Sequence, residues 1–467
     1  MSGHSIVERN PATQVASQAT GAETGPEIDR LVALYADRKA TVGVVGLGYV
    51  GLPLVKALSA RGFRTIGFDI DRRKVDQLNA GKSYIRHIPS ELVADIVAGG
   101  RFLATADFSR IKDADAILIC VPTPLTRQRE PDMTYVIGTT EQIAPYLRRG
   151  QLIVLESTTY PGTTTEIMKP ILERGGLRSQ RDFFIAYSPE REDPGNPNYE
   201  TSTIPKVVGG DGDAATRMAA ALYSQVVAGV VTVSSAATAE AVKLTENIFR
   251  AVNIALVNEL KVVFARMGID IWEVIDAAKS KPFGYMPFYP GPGLGGHCIP
   301  IDPFYLTWKA REYDTPTRFI ELAGEVNVSM PAYVVQQLAQ EIDRRFSKGL
   351  NGARILMLGV AYKKNVEDIR ESPAFKLMHQ LEERGARVDY YDPFVAEIPV
   401  TREHPEYGGR RSVDWNPAAF GKYDACLICT DHDGVDYDAL VKAARLVVDT
   451  RNATGKVTED RDKIVKA

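Results

Sequence analysis

The sequence predicts an α/β protein in which two doubly wound domains are joined by a long central helical region. A short apolar run at residue 41 leads into a glycine-rich turn, and a similar strand-and-turn pattern restarts at Ala353. Between them, neither Gly nor Pro interrupts a helical pattern from Ala236 to Met267. Short, almost wholly apolar runs separated by helical stretches are typical of strands covered on both faces of a parallel sheet.

Composition restricts the classes of function. The net charge of −3 leaves no overall positive field that would attract nucleic acid. Apolar runs fall short of the roughly 18 residues that a membrane span needs, and the N-terminus lacks the pattern of a secretory signal. We therefore expect no nucleic-acid partner, no membrane partner and a cytoplasmic location. Residues 1 to about 25 predict a flexible tail, followed by a short helix over Glu27–Arg38.

The four cysteines do not indicate a disulfide framework in a chain of this length. Cys426 and Cys429 have CxxC spacing but lie in an apolar, strand-like run. Positions three apart in a strand face opposite sides of a sheet, so the pair does not predict a shared metal. We expect no metal site.

The first strand, Thr41–Val45, ends in a glycine-rich turn that predicts a Rossmann-like dinucleotide-binding domain. Gly46, Gly48 and Gly51 form a GxGxxG pattern with a helix after it, and Asp69 ends the next strand. Gly46 allows the tight turn, Gly48 lets a pyrophosphate approach, and Gly51 lets helix and strand pack. A carboxylate at Asp69 favours NAD over NADP, although Arg72 and Arg73 follow closely. An unrelated glycine-rich turn is the alternative.

Three further apolar runs, at residues 116–121, 152–155 and 183–187, predict strands that end in polar or proline-rich loops. In a parallel sheet such loops share the edge at which ligands bind. The residues so placed are Pro122 to Pro124, Thr158 and Glu190.

The long helical pattern carries polar residues at a spacing that predicts a shared face. Lys243 and Asn247 are four positions apart, and Arg250 lies one turn further on. They are either the exposed side of the helix or part of a site. The length of this helical pattern also suits a connector between domains that forms a dimer surface.

A loop rich in glycine and proline surrounds Cys298, and a helix is predicted to follow it. Asp302 stands at the predicted N-cap and Pro303 at the first helical position. Unsatisfied N–H groups and the helix dipole favour an anion there, which can lower a thiol pKa. A buried, unreactive cysteine is the alternative.

After a helix that runs from Pro331 to about Phe346, four strand patterns predict the second doubly wound domain. Asp392 ends its second strand as Asp69 does in the first, which indicates a weak internal repeat. Because a full GxGxxG is absent, no second dinucleotide is assigned.

A dinucleotide site and a reactive thiol together allow a four-electron oxidation. A thiolate adds to an aldehyde, the adduct loses a hydride, and water hydrolyses the resulting thioester. A primary alcohol would thus become a carboxylate at the expense of two NAD⁺. A two-electron hydroxyacid dehydrogenase needs neither the thiol nor the second domain.

Seven sequence blocks together resemble the UDP-glucose/GDP-mannose dehydrogenase family. They are Gly46-Leu-Gly-Tyr-Val-Gly51-Leu-Pro, Glu156-Ser-Thr-Thr-Tyr-Pro-Gly162, Ser188-Pro-Glu-Arg191, Lys243-Leu-Thr-Glu-Asn247, Gly295-Gly-His-Cys298-Ile-Pro-Ile-Asp302-Pro, Ala361-Tyr-Lys363 and Asp368-Ile-Arg370-Glu-Ser-Pro373. The resemblance implies four segments: a flexible extension with a short helix (1–38), an NAD-binding Rossmann domain (39–235), a central helical dimerisation region (236–346) and a UDP-sugar-binding domain (347–467). It also implies a homodimer or higher homo-oligomer.

The resemblance implies a role for each matched residue. Cys298 would be the covalent nucleophile, Lys243 and Asn247 would stabilise the oxyanion, Asp302 would transfer protons through a water, and Thr158 and Glu190 would contact that water and the sugar. Implied cofactor contacts are Gly46, Gly48, Tyr49, Val50, Gly51, Asp69, Arg72, Pro122, Thr123 and Thr158. Implied substrate contacts are Glu190, Arg191, Lys243, Asn247, Arg250, Gly295, Arg318, Tyr362, Lys363 and Arg451.

The substrate is expected from the residues around Cys298. His297, followed by Asp302-Pro303, resembles the branch of the family that acts on N-acetylated UDP-hexosamines, with UDP-N-acetylglucosamine as the first expectation. The N-acetylgalactosamine and N-acetylmannosamine epimers and UDP-glucose remain alternatives, and a non-catalytic NAD-binding scaffold is a remote one.

Overall fold

The computed structural model describes residues 25–85, 88–126, 128–191, 203–296, 299–401 and 404–467. The predicted tail before residue 25 lies outside these ranges, and so do His297 and Cys298.

An eight-stranded sheet forms the first domain. Its strands are β1 (Thr41–Val45), β2 (Arg64–Phe68), β3 (Phe102–Thr105), β4 (Ala116–Ile119), β5 (Leu152–Leu155), β6 (Phe184–Tyr187), β7 (Lys206–Gly210) and β8 (Val230–Thr232). The order is β3-β2-β1-β4-β5-β6-β7-β8, and every pairing is parallel except β6 with β7. The first six strands have the order of a dinucleotide-binding domain, whose ligand crevice lies where the order reverses, between β1 and β4.

Helices cover both faces of this sheet. They are α1 (Gly25–Ala36), α2 (Gly51–Ala60), α3 (Arg72–Asn79), α4 (Ser90–Ala98), α5 (Thr134–Ile143), α6 (Lys169–Leu172) and α7 (Asp213–Tyr223). Alternate residues of β1 enter different cores, Val42 and Val44 on one face and Val45 on the other. This two-sided burial explains why the strands read as continuous apolar runs.

The second domain contains a five-stranded parallel sheet. Its strands are β9 (Arg354–Leu358), β10 (Arg387–Tyr391), β11 (Ala425–Ile428), β12 (Val447–Asp449) and β13 (Ile464–Lys466), in the order β10-β9-β11-β12-β13. Its helices are α12 (Pro373–Glu383), α13 (Pro417–Phe420) and α14 (Tyr437–Ala443). Cys426 and Cys429 belong to separate cores, as the strand geometry requires. The predicted fold class is confirmed.

The central region contains α8 (Ala236–Arg266), α9 (Ile271–Ala278), α10 (Asp302–Ala310) and α11 (Arg318–Phe346). The expectation that the last of these begins after Pro331 is wrong, because α11 begins at Arg318 and carries Pro331 within it. The helix continues beyond the proline because its next residues are buried in the second domain's core, among them Val334, Val335 and Leu338. Tertiary packing thus offsets the lost backbone hydrogen bond.

Candidate active site

The glycine turn after β1 leaves unfilled space beside the backbone at one of its three glycines. Gly46 has φ 91°, and a Cβ there would lie 2.6 Å from the Cys120 carbonyl oxygen. A Cβ at Gly51 would lie 1.9 Å from the Gly46 oxygen, whereas one at Gly48 would meet no atom within 4 Å. The first and third glycines are therefore required by the chain's own packing, and the second faces space that a pyrophosphate could enter.

Asp69 holds this turn in shape. Its two carboxylate oxygens accept backbone N–H groups from Leu47 at 3.0 Å and from Asp71 at 2.9 Å. The Lys74 ammonium lies 3.7 Å away. Each oxygen keeps a lone pair for a ribose hydroxyl, so this turn fits NAD.

The second domain repeats this arrangement. Gly359 has φ 82°, and Asp392 accepts the backbone N–H groups of Val360 and Ala361 at 2.8 and 3.1 Å. His432 Nε2 lies 3.2 Å from the same carboxylate. In both domains, therefore, an aspartate at the end of the second strand holds the glycine turn through backbone N–H groups. The second domain differs in that His432 also contacts this carboxylate.

A buried polar cluster forms where α8 meets the start of α10. Asn247 donates to the Asp302 carboxylate, and Arg250 donates to the Asn247 side-chain oxygen. Lys243, Asn247 and Asp302 are all buried. Burial raises the pKa of Asp302 to about 7, against the opposing influence of Lys243 and the hydrogen bond from Asn247. Lys243 and Asn247 therefore belong to a buried polar site and not to the exposed side of the helix, whereas Arg250 reaches this site from an exposed position. Asp302 can exchange protons near neutral pH.

The expectation that Asp302 caps α10 is wrong. Asp302 is the first residue of the helix, Ile301 occupies the N-cap position, and Pro303 is the second helical residue. The carboxylate accepts from Asn247 on α8 and makes no capping hydrogen bond. The contact between α8 and α10 therefore uses the Asp302 side chain that the local sequence pattern assigns to an N-cap.

The loops at the strand ends are fastened to the same helices. After β6, Arg191 donates to Glu246 on α8 at 2.6 Å, which holds the loop that carries Glu190. After β4, the Thr123 carbonyl accepts from the Tyr305 hydroxyl on α10 at 2.9 Å. Pro122 and Thr158 lie in the loops that follow β4 and β5.

The loop around Cys298 is held on its N-terminal side by buried groups. Gly291 N–H donates to the Asn258 side-chain oxygen at 3.0 Å, and Asn258 donates to Asn327 of α11 at 2.9 Å. Gly296 N–H donates to the Arg370 carbonyl at 3.2 Å. The central helices and the second domain therefore both position this loop.

The second domain presents predicted substrate residues to the same loop. A Cβ at Gly291 would lie 2.5 Å from Arg451 Nη1, and a Cβ at Gly295 would lie 2.8 Å from Tyr362 Cβ. Lys363 follows Tyr362 in the chain. Arg451 thus meets this loop at Gly291 and Tyr362 meets it at Gly295, although the loop and the second domain are far apart in sequence.

Two predicted arginines that begin helices lie at the surface. Arg72 begins α3 and Arg318 begins α11, and both side chains are exposed. Their predicted contacts with cofactor and substrate therefore stay predictions.

A cavity of about 630 Å³ lies beside the loop. Gly293, Leu294 and Ile299, which flank Cys298, line it together with Phe304 of α10 and Arg370. The Arg370 guanidinium also lies 4.8 Å from the centre of the Tyr49 ring in the glycine turn. One arginine of the second domain thus reaches both the cavity and the cofactor turn, which is a connection that sequence reasoning did not assign.

Sequence reasoning also missed Asn258 and Asn327, which hold the loop, and Lys206, whose ammonium lies 3.6 Å from the Glu190 carboxylate. Arg370 belongs to a recognised sequence block, so a role could have been sought for it. Asn258 and Asn327 are isolated amides within helices, and no motif or spacing in the sequence marks them. Lys206 begins a strand that was not predicted, so no sequence pattern placed it near Glu190.

No group of His, Cys, Asp and Glu side chains in the described ranges could hold a metal ion. Within the same ranges, every helix is too short or too polar to cross a membrane.

Comparison with known proteins agrees with this architecture. Residues 40–227 match the NAD-binding domain, residues 237–329 the central domain, and residues 356–456 the UDP-binding domain of one family. The chain belongs to the UDP-glucose/GDP-mannose dehydrogenase family, whose members are NAD-dependent nucleotide-sugar dehydrogenases. The expected cofactor, NAD, is thereby confirmed.

Individual relatives differ in their named substrates. The chain is 36% identical to a UDP-N-acetyl-D-glucosamine 6-dehydrogenase of Pseudomonas aeruginosa, over 84% of this chain and 90% of the relative. It is 35% identical to an NDP-N-acetyl-D-galactosaminuronic acid dehydrogenase of Ralstonia solanacearum, over 88% and 95%. The solved UDP-D-ManNAc dehydrogenase of Pyrococcus horikoshii superimposes with a TM-score of 0.80 at 32% identity, covering 90% of this chain and 96% of that one.

Proposed function

We propose that this protein oxidises the C6 hydroxymethyl group of a UDP-N-acetylhexosamine to a carboxylate, with UDP-N-acetylglucosamine as the substrate. The product would be an activated uronic acid for surface polysaccharide synthesis. One observation carries the proposal: Lys243, Asn247 and Asp302 form a buried polar cluster, whose aspartate lies four residues beyond Cys298 in the chain. The names of the relatives support an N-acetylated substrate.

In the proposed mechanism, Asp302 accepts the proton of the C6 hydroxyl through a bound water. A pKa of about 7 suits this task, because a base is most useful when its pKa lies near the working pH. Lys243 and Asn247 stabilise the negative charge that develops on the oxygen. The turn of Gly46 and Gly48 and the Asp69 carboxylate would hold NAD, which would supply the hydride acceptor for both oxidations.

Cys298 would then connect the two oxidations. Its thiolate adds to the C6 aldehyde and forms a thiohemiacetal, which the second oxidation converts to a thioester. Water attacks the thioester carbonyl while Glu190 accepts its proton, the C–S bond breaks, and the Cys298 thiolate is released. The net change is one alcohol to one carboxylate with two NAD⁺ reduced.

A panel of UDP-sugars with measured NADH stoichiometry tests this proposal. We expect two NADH per sugar, and a kcat/KM for UDP-N-acetylglucosamine at least about tenfold above that for UDP-glucose, since a pocket shaped for the acetamido group loses contacts with a hydroxyl. A higher kcat/KM for UDP-glucose would contradict the proposed substrate, and a higher value for another epimer would select that one. Absence of NADH formation with every sugar would favour the non-catalytic scaffold.

We propose a second copy of this chain as the partner that covers an exposed apolar stripe on α8. Phe249, Leu256 and Val263 repeat every seven residues and are 48%, 52% and 46% exposed. A seven-residue apolar repeat on a long helix is a pattern that a second helix can pack against.

Replacing Leu256 with Glu tests the self-association. We expect Leu256→Glu to lower the molar mass measured by light scattering during size-exclusion chromatography, because a charge would be buried in the interface. Val400→Glu, at an apolar residue that is 78% exposed in the second domain, is the matched control. An unchanged mass for Leu256→Glu would remove α8 from the interface.

A further inference from the structure

A buried ion-pair cluster lies at the strand ends behind Glu190. The Lys206 ammonium donates to one Glu156 carboxylate oxygen, and the Tyr223 hydroxyl donates to the other. All three side chains are almost completely buried: Glu156 is 1% exposed, Lys206 2% and Tyr223 0%. Isolated buried charges are unfavourable, so a cluster of this kind persists where its charges are paired.

Lys206 also reaches the loop that carries Glu190. Its ammonium lies 3.6 Å from the Glu190 carboxylate and 3.4 Å from the Pro189 carbonyl oxygen. The other Glu190 oxygen accepts the Arg191 backbone N–H at 2.8 Å. One lysine therefore contacts both the backbone and the side chain of this loop.

The antiparallel pairing of β7 explains this position. β7 pairs with β6 through Tyr187 opposite Gly209 and Ala186 opposite Gly210. The same register, continued past these pairs, aligns Glu190 with Lys206. The first residue of β7 thus lies at the edge where the parallel strands end, and this is the edge at which ligands bind in such sheets.

The charge of Lys206 is held by its neighbours. Burial by itself would lower the pKa of Lys206, but attraction to Glu156 and Glu190 outweighs burial and raises it. The side chain therefore stays an ammonium at neutral pH. Without it, the Glu156 and Glu190 carboxylates would repel each other, and the Pro189 carbonyl would lose its donor.

We propose that Lys206, anchored by Glu156 and Tyr223, is the positioning residue that aims the Glu190 carboxylate at the water that hydrolyses the thioester. This inference rests on the proposed function, because it requires the Cys298 thioester. Lys206 does not touch the substrate. Its loss should slow the hydrolysis, in which the thioester C–S bond breaks and Glu190 takes the proton of water, more than either oxidation.

The test uses a pair of variants that differ only at Lys206. Lys206→Met alone leaves the buried Glu156 without its counter-ion and can unfold the protein, so Lys206→Met is combined with Glu156→Gln and compared with Glu156→Gln alone. Each protein is mixed with NAD⁺ and UDP-N-acetylglucosamine, quenched at set times, and its intact mass and NADH yield are measured. Glu190→Gln serves as the reference that accumulates the adduct. Lys348→Met, which breaks a lysine–carboxylate pair with Asp424 in the second domain, is the matched control.

Relative to Glu156→Gln, the double variant should show a burst of NADH and then a steady state slower by at least about tenfold, because a misdirected base loses much of its effect. Its mass should reveal the acyl adduct on Cys298, as for Glu190→Gln. If only Glu190→Gln accumulates the adduct, the role of Lys206 is overturned and the proposed function stands. If neither accumulates it, the covalent mechanism fails and the inference fails with it.

Discussion

Cys298→Ala is expected to abolish formation of the uronic acid. The variant keeps the cofactor turn and the polar cluster but has no thiolate to form the thiohemiacetal. Removing a covalent nucleophile commonly lowers turnover by on the order of 10⁴-fold or more. Acid formation should be measured by chromatography of the products, because NADH alone would also report a first oxidation that stops at the aldehyde.

A second cysteine provides the matched control for this substitution. Cys429 is buried in the second domain, and burial raises the pKa of its thiol to about 12, so it is a poor nucleophile. Cys429→Ala should therefore keep its activity, while Cys298→Ala should still bind NAD. An undiminished acid yield from Cys298→Ala would contradict the covalent mechanism.

Asp302→Asn is expected to reduce turnover by about 10²- to 10⁴-fold, the usual contribution of a positioned acid or base. The two side chains have the same shape, and the amide oxygen introduced by the substitution can still accept from Asn247, so the loss should reflect proton transfer. Because the pKa of Asp302 is about 7, the wild-type rate should rise with pH through about 7 as the base ionises. The variant should lack this rise.

The stability of the same pair of proteins gives a second measurement. The folded pKa of Asp302 lies above the ordinary value of 3.8, so the folded state binds more protons than the unfolded state between these values. The resulting stabilisation is complete below about pH 4 and is lost as pH rises through about 7. The free energy of unfolding of the wild type should therefore fall, relative to that of Asp302→Asn, between about pH 4 and 7. Glu240, whose pKa burial also raises to about 7, is present in both proteins and cancels in the difference.

An exposed carboxylate separates this effect from general loss of charge. Asp113 pairs with Arg110 at 3.1 Å on the surface. Asp113→Asn should leave both the pH–rate profile and the pH dependence of unfolding as in the wild type. The base would be another residue if the wild-type rate did not rise with pH near 7, or if this rise persisted in Asp302→Asn.

Local sequence patterns were sufficient to predict much of the fold. The runs Thr41–Val45 and Leu152–Leu155 were predicted as strands with the bounds observed. The turn at Gly46 and Gly48 was predicted because its backbone requirements are few and specific to glycine. The site residues and the domain boundaries stay predictions, since neither the relatives nor the fold tests them.

What the sequence determined by itself is the apolar strands of both domains' centres, the long helix, the cofactor turn and the family, because each depends on a local pattern. What only the tertiary structure decided is which side chains meet. Asp302 accepts from Asn247 and leaves its helix uncapped, Arg370 crosses to the cofactor turn, and the reversal of β7 places Lys206 beside Glu190. These contacts join residues from different elements, and their direction depends on packing between helices and on strand polarity, which spacing along one chain does not encode.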